Sequence, residues 1–127
     1  MAYAKLNFYS QTLGFSQAVS IFLQEPRSMD DTADLPVLYL LHGLHGSHQS
    51  WVSSARVERF LYESGKNMMI VVPTMHNNFY TNHKLGWPYM KYIGEELPRI
   101  IGSYFHMSPK RENTYVAGLS MGGYGAF

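Results

Sequence analysis

Two unbroken apolar runs restrict the fold of this chain more than any other feature. Val37–Leu41 and Met68–Val72 each hold five aliphatic or aromatic residues in a row. Strands that face solvent on one side alternate polar and apolar residues, whereas strands covered on both faces do not. The runs therefore predict buried parallel strands, and Tyr115–Ala117 predicts a third, shorter one. Such strands are typical of α/β domains, in which helices cover both faces of a mostly parallel sheet.

Helical patterns lie between these strands. Val57, Phe60 and Leu61 have the i, i+3, i+4 spacing of a helix stripe, and Gly65 predicts its end. A longer apolar stripe runs through residues 93 to 105 and contains Pro98. Proline disturbs a helix interior, so we expect this helix to kink or restart there.

The N-terminal segments differ in pattern from the later strands. Lys5–Ser10 and Gln17–Gln24 are rich in β-forming residues, and Gly14 lies in the link between them. They predict an antiparallel pair at one sheet edge, followed by a polar loop over residues 25–35. The predicted fold is α/β, with a mostly parallel sheet, an antiparallel N-terminal strand pair, helices on both faces and no internal domain boundary.

Composition excludes several classes of protein. The 127 residues are 46% hydrophobic and 15% charged, so the chain is expected to fold and not to stay disordered. It has no cysteine for disulfides or thiolate metal sites, and a net charge of +1 gives no electrostatic reason to bind nucleic acid. The apolar runs fall short of the roughly 18 residues that span a membrane. With no secretory signal pattern, we expect a cytoplasmic protein that needs no cofactor.

The segment Gly118–Gly122 matches the pattern G-x-S-x-G of a nucleophile elbow. The pattern needs a tight strand-to-helix turn that exposes a strained serine, and the two glycines allow close backbone approach. Alone the match is weak, and an ordinary glycine-rich turn is the alternative. The strand before it and the small residues after it favour the elbow, with Ser120 as nucleophile.

A second motif, His42–Gly46, follows the first buried strand directly. An α/β-hydrolase places there the loop that supplies one oxyanion-hole amide. We expect the backbone N–H groups of Leu44 and Met121 to form this hole, each donor contributing roughly 3 kcal/mol to transition-state stabilisation. The alternative is an ordinary strand-to-helix loop.

Three histidines in this loop raise the question of a metal. His42, His45 and His48 are spaced three apart, without the helix-borne H-E-x-x-H pattern of zinc hydrolases. We expect no metal: His42 is predicted to hold the loop by hydrogen bonds, and His45 and His48 to be polar loop residues. The adjacent carboxylates Asp30–Asp31 and Glu95–Glu96 are predicted to be solvated charge.

An aromatic, amide-rich segment covers residues 76–89, after the second buried strand. Long loops at the carboxyl edge of a parallel sheet often bind ligands. We expect Phe79 or Trp87 to reach an acyl pocket, with Trp51 as an outside candidate. The alternative is an aromatic cluster that caps the core.

With both motifs placed, the chain resembles the N-terminal half of the esterase D / tributyrin esterase family of α/β-hydrolases. The resembling segments are Leu38–Trp51, Glu95–Pro98, Lys110–Glu112 and Val116–Ala126. The resemblance implies a serine carboxylesterase for short acyl esters, with relatives that act on S-formylglutathione or on acetyl and feruloyl groups of carbohydrates. It assigns the nucleophile to Ser120 and the oxyanion amides to Leu44 and Met121.

The chain departs from the family pattern after the elbow. In this fold the catalytic residues follow the order Ser, Asp or Glu, His, but here every histidine and acid precedes Ser120. We therefore expect residues 1–127 to be a single incomplete α/β-hydrolase domain, truncated just after the elbow and inactive alone. Expected partners are a small ester substrate and a complementary C-terminal fragment, and a homo-oligomer stays open. The alternatives are a non-catalytic, partner-binding module and an acyltransferase of the same fold.

Overall fold

The computed structural model describes residues 1–24, 35–54, 56–108 and 110–127 of the chain. They form a mixed five-stranded sheet with the strand order β1-β2-β4-β3-β5. The strands are β1 (Ala2–Ser10), β2 (Phe15–Leu23), β3 (Val37–Leu41), β4 (Met69–Pro73) and β5 (Thr114–Gly118). The predicted acidic pair Asp30–Asp31 and most of the predicted loop 25–35 lie outside the described residues.

Strand directions follow the sequence patterns. β3 pairs in parallel with both β4 and β5, as the unbroken apolar runs predict. β1 and β2 form an antiparallel hairpin, and β2 also pairs antiparallel with β4. The hairpin extends to Ala2 and starts its second strand at Phe15, beyond the predicted bounds. Backbone pairing continues past the patterned residues because the ladder of hydrogen bonds does not depend on side-chain type.

Helices cover both faces of the sheet, which confirms the predicted architecture. On one face lie α1 (Ser50–Ser54) and α2 (Val57–Ser64), the latter packing Val57 and Leu61 against the sheet. Gly65 ends α2 with φ 65°, as predicted, whereas Phe60 is 66% exposed because it lies at the margin of the stripe. The other face carries α3 (Tyr89–Lys91), a π-helical turn (Tyr92–Glu96) and α4 (Leu97–Phe105).

The helical segment restarts at Pro98, as predicted. A π-helical turn precedes α4, and Pro98 lies in the first turn of α4. Proline has no N–H to donate to a preceding carbonyl, and its ring would clash with that carbonyl in a regular α-helix. The wider π-helical turn leaves room for the ring. This turn also aims Tyr92 and Glu96 into the interior, where both are buried.

Burial of Glu96 corrects the prediction that Glu95 and Glu96 are both solvated. Glu96 is 4% exposed, whereas Glu95 is exposed as predicted. The Glu96 carboxylate accepts hydrogen bonds from the Ser10 hydroxyl at 2.5 Å and from the N–H groups of Gln11 at 2.7 Å and Thr12 at 3.3 Å. Burial raises its pKa, but these donors outweigh that effect, so the pKa is lowered overall. Glu96 therefore fastens the β1–β2 turn to the helical layer.

Replacing Glu96 with glutamine is expected to lower the free energy of unfolding by about 2 kcal/mol, because its amide cannot accept all these charge-assisted bonds. Urea unfolding at pH 7 measures this, with Glu95→Gln as the matched control, expected within about 0.5 kcal/mol of the parent. Because the folded-state pKa lies below the unfolded one, the stabilisation is present above the unfolded pKa. This stabilisation is lost as the pH falls through the folded-state pKa of Glu96. Equal effects of the two variants would contradict this role.

The C-terminal elements leave one sheet edge open. A 3₁₀ turn (Arg111–Asn113) leads into β5, and α5 (Met121–Ala126) follows it. Among the described residues β5 pairs with β3 alone, and Tyr115 and Val116 are each 48% exposed. No helix in this part of the chain is long and apolar enough to cross a membrane.

Candidate active site

Parallel pairing brings three loops to one edge of the sheet. The carboxyl ends of β3, β4 and β5 lie side by side. The predicted oxyanion loop after β3, the aromatic segment after β4 and Ser120 after β5 therefore meet there. This is the edge at which α/β sheets bind ligands.

Ser120 has the backbone strain that a nucleophile elbow needs. Its φ is 56° and its ψ is −118°, at the junction between β5 and α5. A non-glycine residue held in such a conformation costs of the order of 1–3 kcal/mol, and such strain clusters at functional sites. The residue is exposed, so the turn presents its hydroxyl to solvent at the sheet edge.

The two motif glycines are required by close backbone contacts. A Cβ on Gly118 would lie 2.3 Å from the Gly122 carbonyl carbon, and a Cβ on Gly122 would lie 2.4 Å from the Leu41 carbonyl oxygen. The glycines thus let α5 approach both β5 and β3. This contact explains the spacing of the motif independently of any chemistry at Ser120.

The loop after β3 lies directly against Ser120. A Cβ built on Gly43 would be 3.6 Å from the Ser120 Cβ and 3.3 Å from the Leu119 carbonyl oxygen. The backbone N–H groups of Leu44 and Met121 donate no hydrogen bond within the part of the chain that the structure describes. Both predicted oxyanion donors are therefore available to a ligand.

His42 holds the loop, as predicted. The ring is fully buried, and its Nε2 accepts the Met75 N–H at 2.9 Å. The proton therefore resides on Nδ1, which donates to the Gly43 carbonyl at 2.7 Å. Burial lowers the pKa of His42, the bond to Gly43 opposes this, and nearby His76 lowers it further. The neutral ring thus links β3 to the start of the aromatic segment.

The other two histidines of the loop have different partners. His45 has a φ of 61°, and its backbone N–H donates to the Asn77 side-chain oxygen at 2.8 Å. His48 is buried, which differs from the prediction of an ordinary polar loop residue, and its Nδ1 lies 2.8 Å from the Thr74 hydroxyl. The described ranges contain no group of three side chains able to hold a metal.

The aromatic segment contributes buried rings to the core and also exposes two other rings. Tyr80 and Tyr89 are buried in the core, and burial raises the pKa of Tyr80, whose hydroxyl donates to the His42 carbonyl at 2.8 Å. Phe79 and Trp87 are about half exposed. Phe79 meets Tyr124 of α5 edge-on, with ring centroids 6.0 Å apart. Phe79 therefore lies beside α5.

The two tryptophans lie apart from Phe79. Trp87 packs edge-on against Phe15 at the start of β2, with centroids 5.4 Å apart. Trp51 packs with the α2 cluster, and its indole N–H donates to the Leu41 carbonyl at 3.2 Å. Of the three predicted acyl-pocket residues, Phe79 has an aromatic contact with α5.

Sequence reasoning gave no specific supporting role to Thr74, nor to Asn77 and Tyr80 of the aromatic, amide-rich segment. All three follow the buried strand β4 at the carboxyl edge, and that position is the signal they share. Within the described residues, the Ser120 hydroxyl has no hydrogen-bond partner.

Comparison with known proteins places this arrangement among esterases. The model of the Esterase family matches residues 10–127. An acetyl esterase of Caldicellulosiruptor saccharolyticus is 32% identical over 133 residues, covering 99% of this chain and 49% of that protein.

Solved structures agree with this family match. The fluorophosphonate-binding serine hydrolase F of Staphylococcus aureus, in a substrate-bound form, superposes with a TM-score of 0.87 at 33% identity, covering 98% of this chain and 49% of its own. An S-formylglutathione hydrolase of the same organism gives 0.83 at 33% identity, with the same coverage of both chains. The superpositions confirm the predicted fold class, and the chain spans about half the length of the relatives that it matches.

Proposed function

Because the chain belongs to the Esterase family, we propose that Ser120 is the nucleophile of a serine carboxylesterase acting on short-chain acyl esters. The observation that carries the proposal is the strained backbone of Ser120, at φ 56° and ψ −118°, on a strand-to-helix turn packed against Gly43. Strain of this kind is retained where the surrounding structure enforces it for function.

The proposed reaction has two steps. The Ser120 oxygen attacks the ester carbonyl while a general base takes its proton, and the alcohol leaves from the tetrahedral intermediate. Water then attacks the acyl-enzyme and releases the acid. The free N–H groups of Leu44 and Met121 are proposed to donate to the oxyanion, which forms in both steps. Phe79, beside α5, is proposed to border the acyl group.

We propose that the base and its orienting acid come from polypeptide beyond the residues of this chain. The support is that the Ser120 hydroxyl has no partner among the described residues and that the relatives are about twice as long. The open edge of β5, with Tyr115 and Val116 exposed, offers a strand-pairing surface for such a segment.

Substrate class is proposed from the relatives. An acetyl esterase and an S-formylglutathione hydrolase are both similar to this chain, and both names describe release of a short acyl group. We therefore propose that the preferred substrates are acetyl to butyryl esters or thioesters. The alternatives known for this fold are hydrolysis of carbohydrate esters and acyl transfer. A transferase would pass the acyl group to an added alcohol or thiol, which product analysis detects.

A fusion experiment tests the proposal. The chain alone, and the chain fused to the C-terminal half of the S. aureus serine hydrolase, are incubated with a fluorophosphonate probe and p-nitrophenyl butyrate. We expect labelling at Ser120 and turnover in the fusion, and neither in the chain alone. Turnover by the chain alone would contradict its incompleteness. A folded fusion that is not labelled would favour the non-catalytic, partner-binding module, and labelling at another residue would show that Ser120 is not the nucleophile.

A further inference from the structure

The histidines of the loop after β3 share a structural feature that the proposed reaction does not use. The contacts at the first and third histidine lie at the two ends of the loop. The contact at the second lies in its middle, directly after Leu44, which is one of the two proposed oxyanion donors. Each histidine bonds to one residue that follows β4: His42 to Met75, His45 to Asn77 and His48 to Thr74.

Leu44 and His45 are the two central residues of a tight turn. The Gly46 N–H donates to the Gly43 carbonyl at 3.1 Å, which closes the turn across four residues. His45 has a φ of 61°, whereas the φ of Leu44 is not positive. A positive φ at the third residue is the mark of a type II turn, in which glycine or asparagine is usual at that position. His45 therefore occupies a position that suits glycine, which has no Cβ to oppose a positive φ.

Asn77 holds this turn in the conformation that a histidine disfavours. Its Oδ1 accepts the His45 N–H at 2.8 Å, and its Nδ2 lies 3.2 Å from the His45 ring Nδ1. A backbone N–H can only donate, so the amide oxygen must face it and the amide NH₂ donates to the ring. The His45 N–H belongs to the central peptide of the turn, whose orientation distinguishes type II from type I turns. The Asn77 side chain therefore fixes that orientation.

The conformation of the turn affects the Leu44 N–H. A trans peptide group is planar, so the Gly43 carbonyl and the Leu44 N–H point in opposite directions. The Gly43 carbonyl is held by the Gly46 N–H and by the His42 ring, whose Nδ1 lies 2.7 Å away. If the turn opens, the Gly46 donor is lost and the peptide that carries the Leu44 N–H is held less firmly. The Leu44 N–H would then be less well aligned with an oxyanion formed at Ser120.

We propose that Asn77 is a positioning residue for the oxyanion hole. It stabilises the strained turn at His45 and thereby fixes the Leu44 N–H for its bond to the oxyanion. The use of the Leu44 N–H by an oxyanion rests on the proposed function, whereas the hold of Asn77 on the turn does not. The two parts can therefore fail separately.

Nuclear magnetic resonance tests the hold on the turn in the chain itself. The measurement is the ¹⁵N order parameter of the His45 amide, for which about 0.85 indicates a rigid backbone and less than about 0.6 a flexible one. We expect the parent near the first value and Asn77→Ala below the second. The matched control is Asn78→Ala, expected to equal the parent, because within the described residues the Asn78 side chain forms no hydrogen bond. Equal order parameters in the two variants would overturn the proposal.

Turnover of p-nitrophenyl butyrate by the fused esterase tests the consequence for the reaction. Asn77→Ala is expected to lower kcat at least about tenfold, towards the roughly 10²-fold that loss of an oxyanion donor causes. KM is expected to stay within about twofold, because the oxyanion forms only in the transition state and intermediate. Asn78→Ala is expected to keep the parental kcat.

A glycine at position 45 provides the rescue. Glycine adopts a positive φ without steric cost, so the turn no longer needs Asn77 to stabilise it. Adding His45→Gly to Asn77→Ala is therefore expected to restore kcat to within about threefold of the parent. A contact that only supports the folded state would not be rescued in this way.

The outcomes separate the positioning role of Asn77 from the proposed function. An active fusion in which Asn77→Ala keeps the parental kcat, or in which adding His45→Gly restores nothing, would overturn the positioning role. A folded parent fusion with neither turnover nor labelling at Ser120 would overturn the proposed function. The order parameters would then still decide whether Asn77 holds the turn.

Discussion

Replacing Ser120 with alanine in the fused esterase is expected to lower kcat for p-nitrophenyl butyrate by a factor of about 10⁴ or more, since loss of a serine nucleophile removes the covalent route. The residual rate comes from the oxyanion donors and substrate binding, which still stabilise the transition state. The measurement is steady-state turnover together with fluorophosphonate labelling.

The matched control is Ser103→Ala, at an exposed serine of α4. It is expected to keep parental kcat and labelling. Alanine keeps the Cβ of serine, so the backbone strain at position 120 is unchanged and the variant should fold with stability close to that of the parent. A Ser120→Ala protein that is folded and retains labelling would show that another residue is the nucleophile.

Replacing Gly122 with alanine is expected to lower the free energy of unfolding by about 3 kcal/mol, because its Cβ would overlap the backbone of β3. The contact is 2.4 Å from the Leu41 carbonyl oxygen and 2.8 Å from the His42 carbonyl oxygen. Backbone atoms of a central strand cannot move aside as a flexible side chain can. The measurement is urea unfolding of the chain, followed by circular dichroism.

Gly123 supplies the control for this prediction. Gly123 lies in the same helix as Gly122, and a Cβ there would meet the Gly118 carbonyl oxygen of β5 at 3.5 Å, an ordinary contact. Gly123→Ala is expected to raise stability by up to about 1 kcal/mol, the usual gain for alanine over glycine in a helix. Destabilisation of both variants to the same extent would mean that helix propensity, and not the contact with β3, decides the effect.

Much of the fold could be predicted because its signals are local. The apolar runs at residues 37–41 and 68–72 identify buried strands, because a strand that is covered on both faces has apolar residues at successive positions. The elbow was also predictable, because Gly118, Ser120 and Gly122 encode a turn within five residues. The structure shows what those glycines contact, which the motif alone does not state.

The errors concern contacts between residues distant in sequence. Glu96 resembles its exposed neighbour Glu95 in sequence, and only the β1–β2 turn, about 85 residues away, supplies the donors that bury it. Trp51 and Trp87 share a residue type and follow parallel strands, yet they lie in different clusters of the fold. His48 is buried because Thr74 of the neighbouring loop binds it.

The sequence by itself therefore determined the strands, the elbow and the nucleophile candidate Ser120, because short-range sterics and hydrophobic patterning act within a few residues. Only the tertiary structure decided which loops face Ser120, which carboxylate is buried and that Phe15, His76 and Trp87 enclose one pocket. Those relations depend on the strand order β1-β2-β4-β3-β5, which brings together residues separated by many positions in the chain.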